Sequence, residues 1–507
     1  MRKSRFNGFT HFFLLIVVMV ASYKKLQINI KEETMKKDVS MNKMGIVPVK
    51  KLMLGMGVPM ILSMMLQALY NIVDSYFVSC IPGTALVSNM GDLAVNALTL
   101  AFPIQMLMVA IGVGTGVGVN TLLARSIGQG NKEKANQVAG NAIFLALCTY
   151  IVFLIFGIFG VKGYINSQTS DVLIREMATS YLGVCCIISF GSIISMVTEK
   201  LLQSTGKTIL STASQIGGAL TNLILDPILI FGLAGFPAMG IKGAAYATVA
   251  GQIVSCILGL IFHCTLNKEI NAKLTYIKPR KNVIKEIYQI GIPAILMQAM
   301  MSVMTYGINI IFGTFSMAAV TAYGVYYKIQ QFIFFASFGM NNAIIPIVSF
   351  NYGKRDKARV KDGVKYGLIF TLIIMFVGAI VLQLFAPALV GIFALSDETR
   401  ELCISAIRII TLGYLFVGVN IASQGIFQAF GKGMNSLLLS LVRLIIVTLP
   451  LAYVFTKLPN ASSMIWWAFP IAEGCAFVLA LSLMKKVTKE QIETLPTCDE
   501  NKFATAL

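Results

Sequence analysis

Apolar runs of about 20 residues or more, enough to cross a bilayer core at 1.5 Å per helical residue, recur twelve times along this chain. They lie near 55–79, 94–122, 138–160, 178–198, 208–232 and 243–264. A second set lies near 288–313, 317–348, 365–386, 402–424, 435–455 and 464–484. No water reaches the middle of a bilayer to bond exposed peptide groups, so each run must satisfy its own backbone, as a helix does. The alternating pattern of a membrane barrel is absent. Only 12% of the 507 residues are charged and mean hydropathy is +0.77, about half the charge a soluble protein carries. An all-α, polytopic membrane protein of about twelve spans is expected.

The net charge of +19 is distributed as a topology signal. Lys and Arg gather after span 2 (Arg125, Lys132, Lys134), between spans 6 and 7 (Lys268 to Lys285) and between spans 8 and 9 (Lys354 to Lys361). They also flank span 1 (Lys50, Lys51) and follow span 12 (Lys485, Lys486, Lys489), whereas the alternate loops, such as 80–93, have few or none. The positive-inside rule then places both termini and the 6–7 connection in the cytoplasm, as an even number of spans requires. A nucleic-acid partner is not expected. Most of the nine cysteines fall inside apolar spans without metal-ligand spacing, as small apolar residues do. Residues 1–45 stand apart: Phe12–Ala21 is apolar but too short to span, and the segment reads as an extension or an over-extended start.

The halves repeat. Gly57-Val58-Pro59 and Gly291-Ile292-Pro293 open spans 1 and 7. Gly130-Asn131-Lys132 and Gly353-Lys354-Arg355 follow spans 2 and 8. Gln203 to Lys207 and Gln428 to Lys432 follow spans 4 and 10, and Pro227 and Pro450 lie in spans 5 and 11. These landmarks keep their order at offsets of 223 to 234 residues. With six spans each, both halves start on the same side, so the repeat is parallel with its pseudo-two-fold along the membrane normal. The expected organisation is a six-helix bundle over 46–264, a cytoplasmic linker over 265–284, a second bundle over 285–486 and a tail over 487–507. Two bundles about a central cleft suit alternating access.

A carboxylate inside a span costs about 2.5–3.5 kcal/mol or more and marks function. In span 1, Ser63, Gln67, Tyr70 and Asp74 share one helical face. In span 5, Ser211, Gln215, Gly218, Asn222 and Asp226 do the same. The two stripes are expected to face each other; the alternative leaves both acids snorkelling or capping near the outer surface. Span 7 carries Gln298, Ser302 and Asn309 without a carboxylate, and Lys328, Arg443 and Glu473 lie in spans 8, 11 and 12. Either these charges form a structural ion pair in the second bundle, or Lys328 acts at the cleft. The run Gly112, Gly114, Gly116, Gly118 lacks a preceding strand and a following Lys-Ser/Thr, so it reads as close helix packing and not a phosphate loop. No Walker A motif or catalytic constellation is present.

Gly-Val-Pro in span 1, Tyr70-xxx-Asp74, Arg125-Ser-Ile-Gly-Gln-Gly-Asn after span 2, Gln203-xx-Gly206-Lys207 and Asn222-xxx-Asp226-Pro227 together resemble the multidrug and toxic compound extrusion (MATE) family. Over about 46–486 they look most like its prokaryotic MepA-like and DinF-like branch. The resemblance implies a V-shaped pair of six-helix bundles in the cell membrane that exports bulky, mostly cationic organic compounds in exchange for H⁺ or Na⁺. It assigns cation coupling to Tyr70, Asp74, Asn222 and Asp226 and matches a further polar position at Thr248; Gln67, Gln298 and Lys328, polar residues within the spans, are the other substrate or coupling candidates. No cofactor beyond the coupling ion is expected, and a monomer whose partners are the lipid bilayer and small organic cations. Two departures stand out: no carboxylate lies within spans 7 and 10, and span 4 ends in Glu199-Lys200 where relatives carry an Asn pair. A flippase for a lipid-linked saccharide is the alternative, although a cleft for pyrophosphate would carry several Arg or Lys. A channel would need a selectivity loop that these short outer connections do not offer.

Overall fold

In the computed structural model the described residues are 42–83, 90–271, 273–393 and 395–496. The expectations for residues 1–41, for the centre of the 80–93 loop and for the last eleven residues lie outside them. Eleven helices are long and apolar enough to cross a membrane, and one bent pair makes a twelfth. They are α1 (Val49–Ser79), α2 (Met90–Gly128), α3 (Lys132–Gln168), α4 (Val172–Ile187 and Phe190–Ser204, bent by 46°), α5 (Thr208–Phe231) and α6 (Ile241–Leu266). The second set is α7 (Lys281–Gly313), α8 (Met317–Gly353), α9 (Lys357–Val390), α10 (Asp397–Ala429), α11 (Gly433–Phe455) and α12 (Ala461–Ile492). No strand occurs among the described residues.

Most helices start earlier than the apolar runs indicate, because hydropathy marks only the lipid-crossing part. The polar first turns are held by caps. The Asn131 side chain accepts from Lys134 N, Asp356 from Arg359 N, and Ser396 from Thr399 N, each satisfying an orphan amide of the first turn.

The repeat is visible in the backbone, with one shift of register. Gly130 (φ 71°) and Arg355 (φ 59°) both take the left-handed conformation just before the caps Asn131 and Asp356. Gly206 (φ 80°) and Gly431 (φ 77°) do the same. Gly130 is therefore equivalent to Arg355, and not to Gly353 as the sequence landmarks suggest. The turn conformation is kept where the glycine itself has moved by two positions. With that 225-residue register, contacts across the pseudo-axis are reciprocal. A Cβ on Gly128 would lie 2.0 Å from Phe350 O, and one on Gly353 would lie 2.2 Å from Arg125 O. Reciprocity of this kind is what a two-fold axis produces.

Each bundle has its own core, one packed around Leu123, Leu182 and Ile193, the other around Phe312, Tyr326 and the fully buried Trp466. Between them, α2 runs along α7 and α1 along α8. The named close contacts (Gly114 and Gly118 on α7, Gly57 and Ile61 on α8) all lie in the halves of these helices nearer the Lys/Arg-rich end. The bundles are thus closed at the basic end.

A short strap crosses that end. Asn42 Nδ2 donates to Thr205 O and Glu269 Oε1 of the first bundle. Arg359 Nη2 of the second donates to Met44 O (2.8 Å) and Val47 O (2.7 Å), and Asn351 Nδ2 also reaches Met44 O. Residues 42–47 therefore join the two bundles. Arg359→Ala removes charged hydrogen bonds of about 1.5–3 kcal/mol each, so tryptic cleavage after Lys43 should accelerate at least about tenfold. An unchanged cleavage rate would show that the strap is held by packing alone.

Candidate functional site

The first bundle brings two polar stripes together. The Ser63 hydroxyl of α1 donates to Gln215 Oε1 of α5, so the stripes face each other as their spacing predicts. On the same stripe of α5, Gly218 meets Gly251 of α6 and lets the two helices approach. A Cβ on either would lie 2.6 Å from the other's carbonyl oxygen, which no real Cβ tolerates. One turn further along each helix, that approach places Asn222 beside Thr248.

Asn222 Nδ2 donates to Asp226 Oδ1 at 3.2 Å and to Thr248 Oγ1 at 3.5 Å. Asn222, Asp226 and Thr248 are all buried, and Asp226 is wholly so. Asp74 Oδ1, Asn222 Oδ1 and Asp226 Oδ2 are buried oxygens with no hydrogen-bond partner. Tyr70, Asp74 and Asp226 lie within electrostatic range of one another, and Tyr70 faces a small apolar cavity between Leu66 and Val73 of α1 and Leu220 and Leu223 of α5. Unmatched buried acceptors are costly. A cation or a proton is the species that would match them.

Two contributors escaped the sequence analysis. Tyr181 of α4, almost fully buried, is within electrostatic range of Asp74 and Tyr70, and Gln105 Nε2 of α2 donates to its hydroxyl at 3.4 Å. An amide in mid-span is a legible signal, so Gln105 was findable. Tyr181 sits in an apolar run and nothing in one dimension marks it.

The remaining candidates separate from this cluster. Gln67 is exposed, Gln298 is half-buried in α7, and Lys328 is exposed and in no ion pair among the described residues. Arg443 and Glu473 form the structural ion pair, at 2.8 Å, with Asn420 Nδ2 donating to the second carboxylate oxygen. The Glu199-Lys200 departure has a structural use. Buried Lys200 donates to Gln203 Oε1 (3.0 Å) and, across the bundles, to Asn342 Oδ1 of α8 (3.3 Å). No group of three or more His, Cys, Asp or Glu gathers among the described residues.

Comparison with known proteins agrees with this architecture. The MatE family profile matches residues 59–228 and 293–454, one stretch in each half. The Staphylococcus haemolyticus multidrug export protein MepA is 24% identical over 453 residues, covering 87% of this chain and 95% of that protein. MepA of Staphylococcus aureus strain MRSA252 is 24% identical over 446 residues, covering 86% and 94%. A solved multidrug resistance MATE family transporter of the MOP superfamily, in an outward-facing conformation, superposes with a TM-score of 0.83 at 23% identity, covering 90% of this chain and all of that one. The structure of MATE in complex with MaL6 gives the same score over 89% and 99%. With the family profile matched in both halves and the same fold in the solved transporters, this multi-pass membrane chain belongs to the MatE family.

Proposed function

We propose that this protein is a secondary active exporter of bulky, mostly cationic organic compounds from the cell, exchanging them for H⁺ or Na⁺ by alternating access in the cell membrane. The observation that carries this is the trio of buried, unpartnered oxygens on Asp74, Asn222 and Asp226. The Lys/Arg-rich end is cytoplasmic in this reading, so closure there opens the cleft to the outside.

Two carboxylates in one dehydrated pocket repel each other unless a cation or proton lies between them. Entry of the coupling ion from outside neutralises the pair, lets α1 bend or turn, and expels the bound organic cation. Release of the ion inside restores the charge that draws in the next substrate. Tyr70 borders the acids, and Asn222 positions Asp226 through its amide. Exchange of one proton for one monovalent cation moves no net charge. Exchange of two adds about 2.3 kcal/mol per 100 mV of membrane potential.

Ethidium efflux from proteoliposomes under an imposed pH or Na⁺ gradient is the test, with the gradient that drives it naming the ion. Asn222→Ala and Tyr70→Phe should weaken coupled efflux about tenfold, the worth of one buried polar contact, without altering insertion. If neither gradient drives efflux by the wild-type protein, the antiport reading is wrong. If anionic lipid pyrophosphates bind better than ethidium, a lipid flippase replaces it.

A further inference from the structure

The Lys/Arg-rich end of the first bundle brings two lysines together without an acid. Lys207 stands at the N-cap of α5, where it makes no side-chain capping bond, unlike Asn131, Asp356 and Ser396 on other helices. Just before it, Gly206 turns with φ 80°. The side chain of Lys43, from the strap, crosses that turn: its Cε lies 3.0 Å from where a Cβ on Gly206 would stand. Lys43 is half-buried there, and burial together with the charge of Lys207 lowers its pKa to about 8. Neither lysine is in an ion pair among the described residues. Glu269, beside the strap, accepts instead from Asn42. In the first turn of α5 the wholly buried Thr208 hydroxyl has no hydrogen-bond partner.

The repeat shows what such a place holds. Lys207 and Lys432 are 225 residues apart. Each follows a left-handed glycine, Gly206 or Gly431, and each is an N-cap without a side-chain capping bond. In the second bundle the chain supplies an anion itself. Glu490 Oε2 lies 3.4 Å from Lys432 Nζ, and its Oε1 lies 3.9 Å from Lys486 Nζ. In the first bundle a second cation, Lys43, stands beside the equivalent lysine, and no acid answers it.

Membrane orientation asks for basic residues in a loop. It does not ask two of them to share a partly desolvated turn, where like charges repel. The positive end of the α5 dipole adds to the same field.

We propose that Lys43, Lys207 and the first turn of α5 form a binding site for a phosphate group, carried by an anionic lipid headgroup or by a soluble phosphate. A phosphate between the lysines offsets their repulsion and accepts from both ammonium groups and from first-turn amides. Lys43 belongs to the strap and Lys207 to the first bundle, so bound phosphate ties the two together and favours the closed basic end. The site lies apart from the coupling acids and does not depend on the export reading.

The full chain in detergent tests it, by native mass spectrometry with added lipid and by calorimetric titration with inorganic phosphate. The wild-type protein should hold one phosphatidylglycerol more tightly than phosphatidylcholine, whose phosphate carries its own cation. Lys43→Gln and Lys207→Gln should each weaken that molecule about tenfold, as loss of one charged hydrogen bond does. Lys432→Gln, whose lysine already has Glu490, should stay within about twofold. If inorganic phosphate alone follows this pattern, the ligand is a soluble phosphate and the site stands. Failure of the wild-type protein to bind either probe overturns the proposal. So does wild-type binding of both probes in either lysine variant, or an equal loss in Lys432→Gln, because surface charge alone would then account for the binding.

Discussion

The Asp74→Asn/Asp226→Asn double variant is expected to fold, insert and still admit dye, yet to move none of it uphill under an imposed pH or Na⁺ gradient. Each substitution keeps the shape of the side chain and removes an intramembrane charge that costs at least about 2.5–3.5 kcal/mol to insert. Thermal stability should therefore hold or rise. What disappears is the exchangeable charge. With both acids made amides, no proton or Na⁺ binds between them, and a coupling ion that no longer distinguishes the two states cannot shift the equilibrium between them. Single variants should fail as completely, because one remaining carboxylate cannot alternate between ion and substrate in the company of an amide that holds neither charge. Uphill export by the folded double variant would remove coupling from this site altogether.

Gly118→Leu is expected to prevent closure at the basic end. A Cβ at Gly118 would lie 2.2 Å from Ile287 O, and at Gly114 2.3 Å from Ile295 Cγ1, both on α7 of the opposite bundle. A backbone carbonyl cannot rotate aside as a flexible side chain can, so the bundles must separate. Overpacking costs about 1–3 kcal/mol, which is about a 5- to 150-fold shift against the closed arrangement. Spin labels on the basic ends of α2 and α7 should report longer distances, and coupled efflux should fall with the population lost. Gly163→Leu is the control, because a Cβ there meets nothing within 4 Å. A distance distribution identical to wild type would mean that the glycine stripe packs without governing the conformational cycle.

The glycine stripe also shows how much was legible beforehand. Its helix-packing role followed from an apolar, strandless setting, but that it packs one bundle on the other did not. Gly112 and Gly116 meet Met196 and Lys200 of α4, while Gly114 and Gly118 meet α7. Alternate glycines thus serve different neighbours, and a linear string does not say which.

What the sequence determined by itself was everything the bilayer dictates along one dimension. Apolar length set the number of spans, Lys and Arg placement set the expected sidedness, and the landmark order revealed a parallel repeat. Asp74 and Asp226 were conspicuous because lipid penalises any charge within it, and their helical spacing already aligned them with Tyr70 and Asn222. Only the tertiary structure decided the partners. Asn222 reaching Thr248, Gln105 reaching Tyr181, Lys200 reaching Asn342 and Arg443 reaching Glu473 each join residues on different helices. Those pairings depend on how each helix is rotated and how closely it crosses its neighbour. Periodicity shows which residues share a face, but it cannot show which helix that face meets, because close approach is set by small residues such as Gly218 and Gly251 acting in three dimensions.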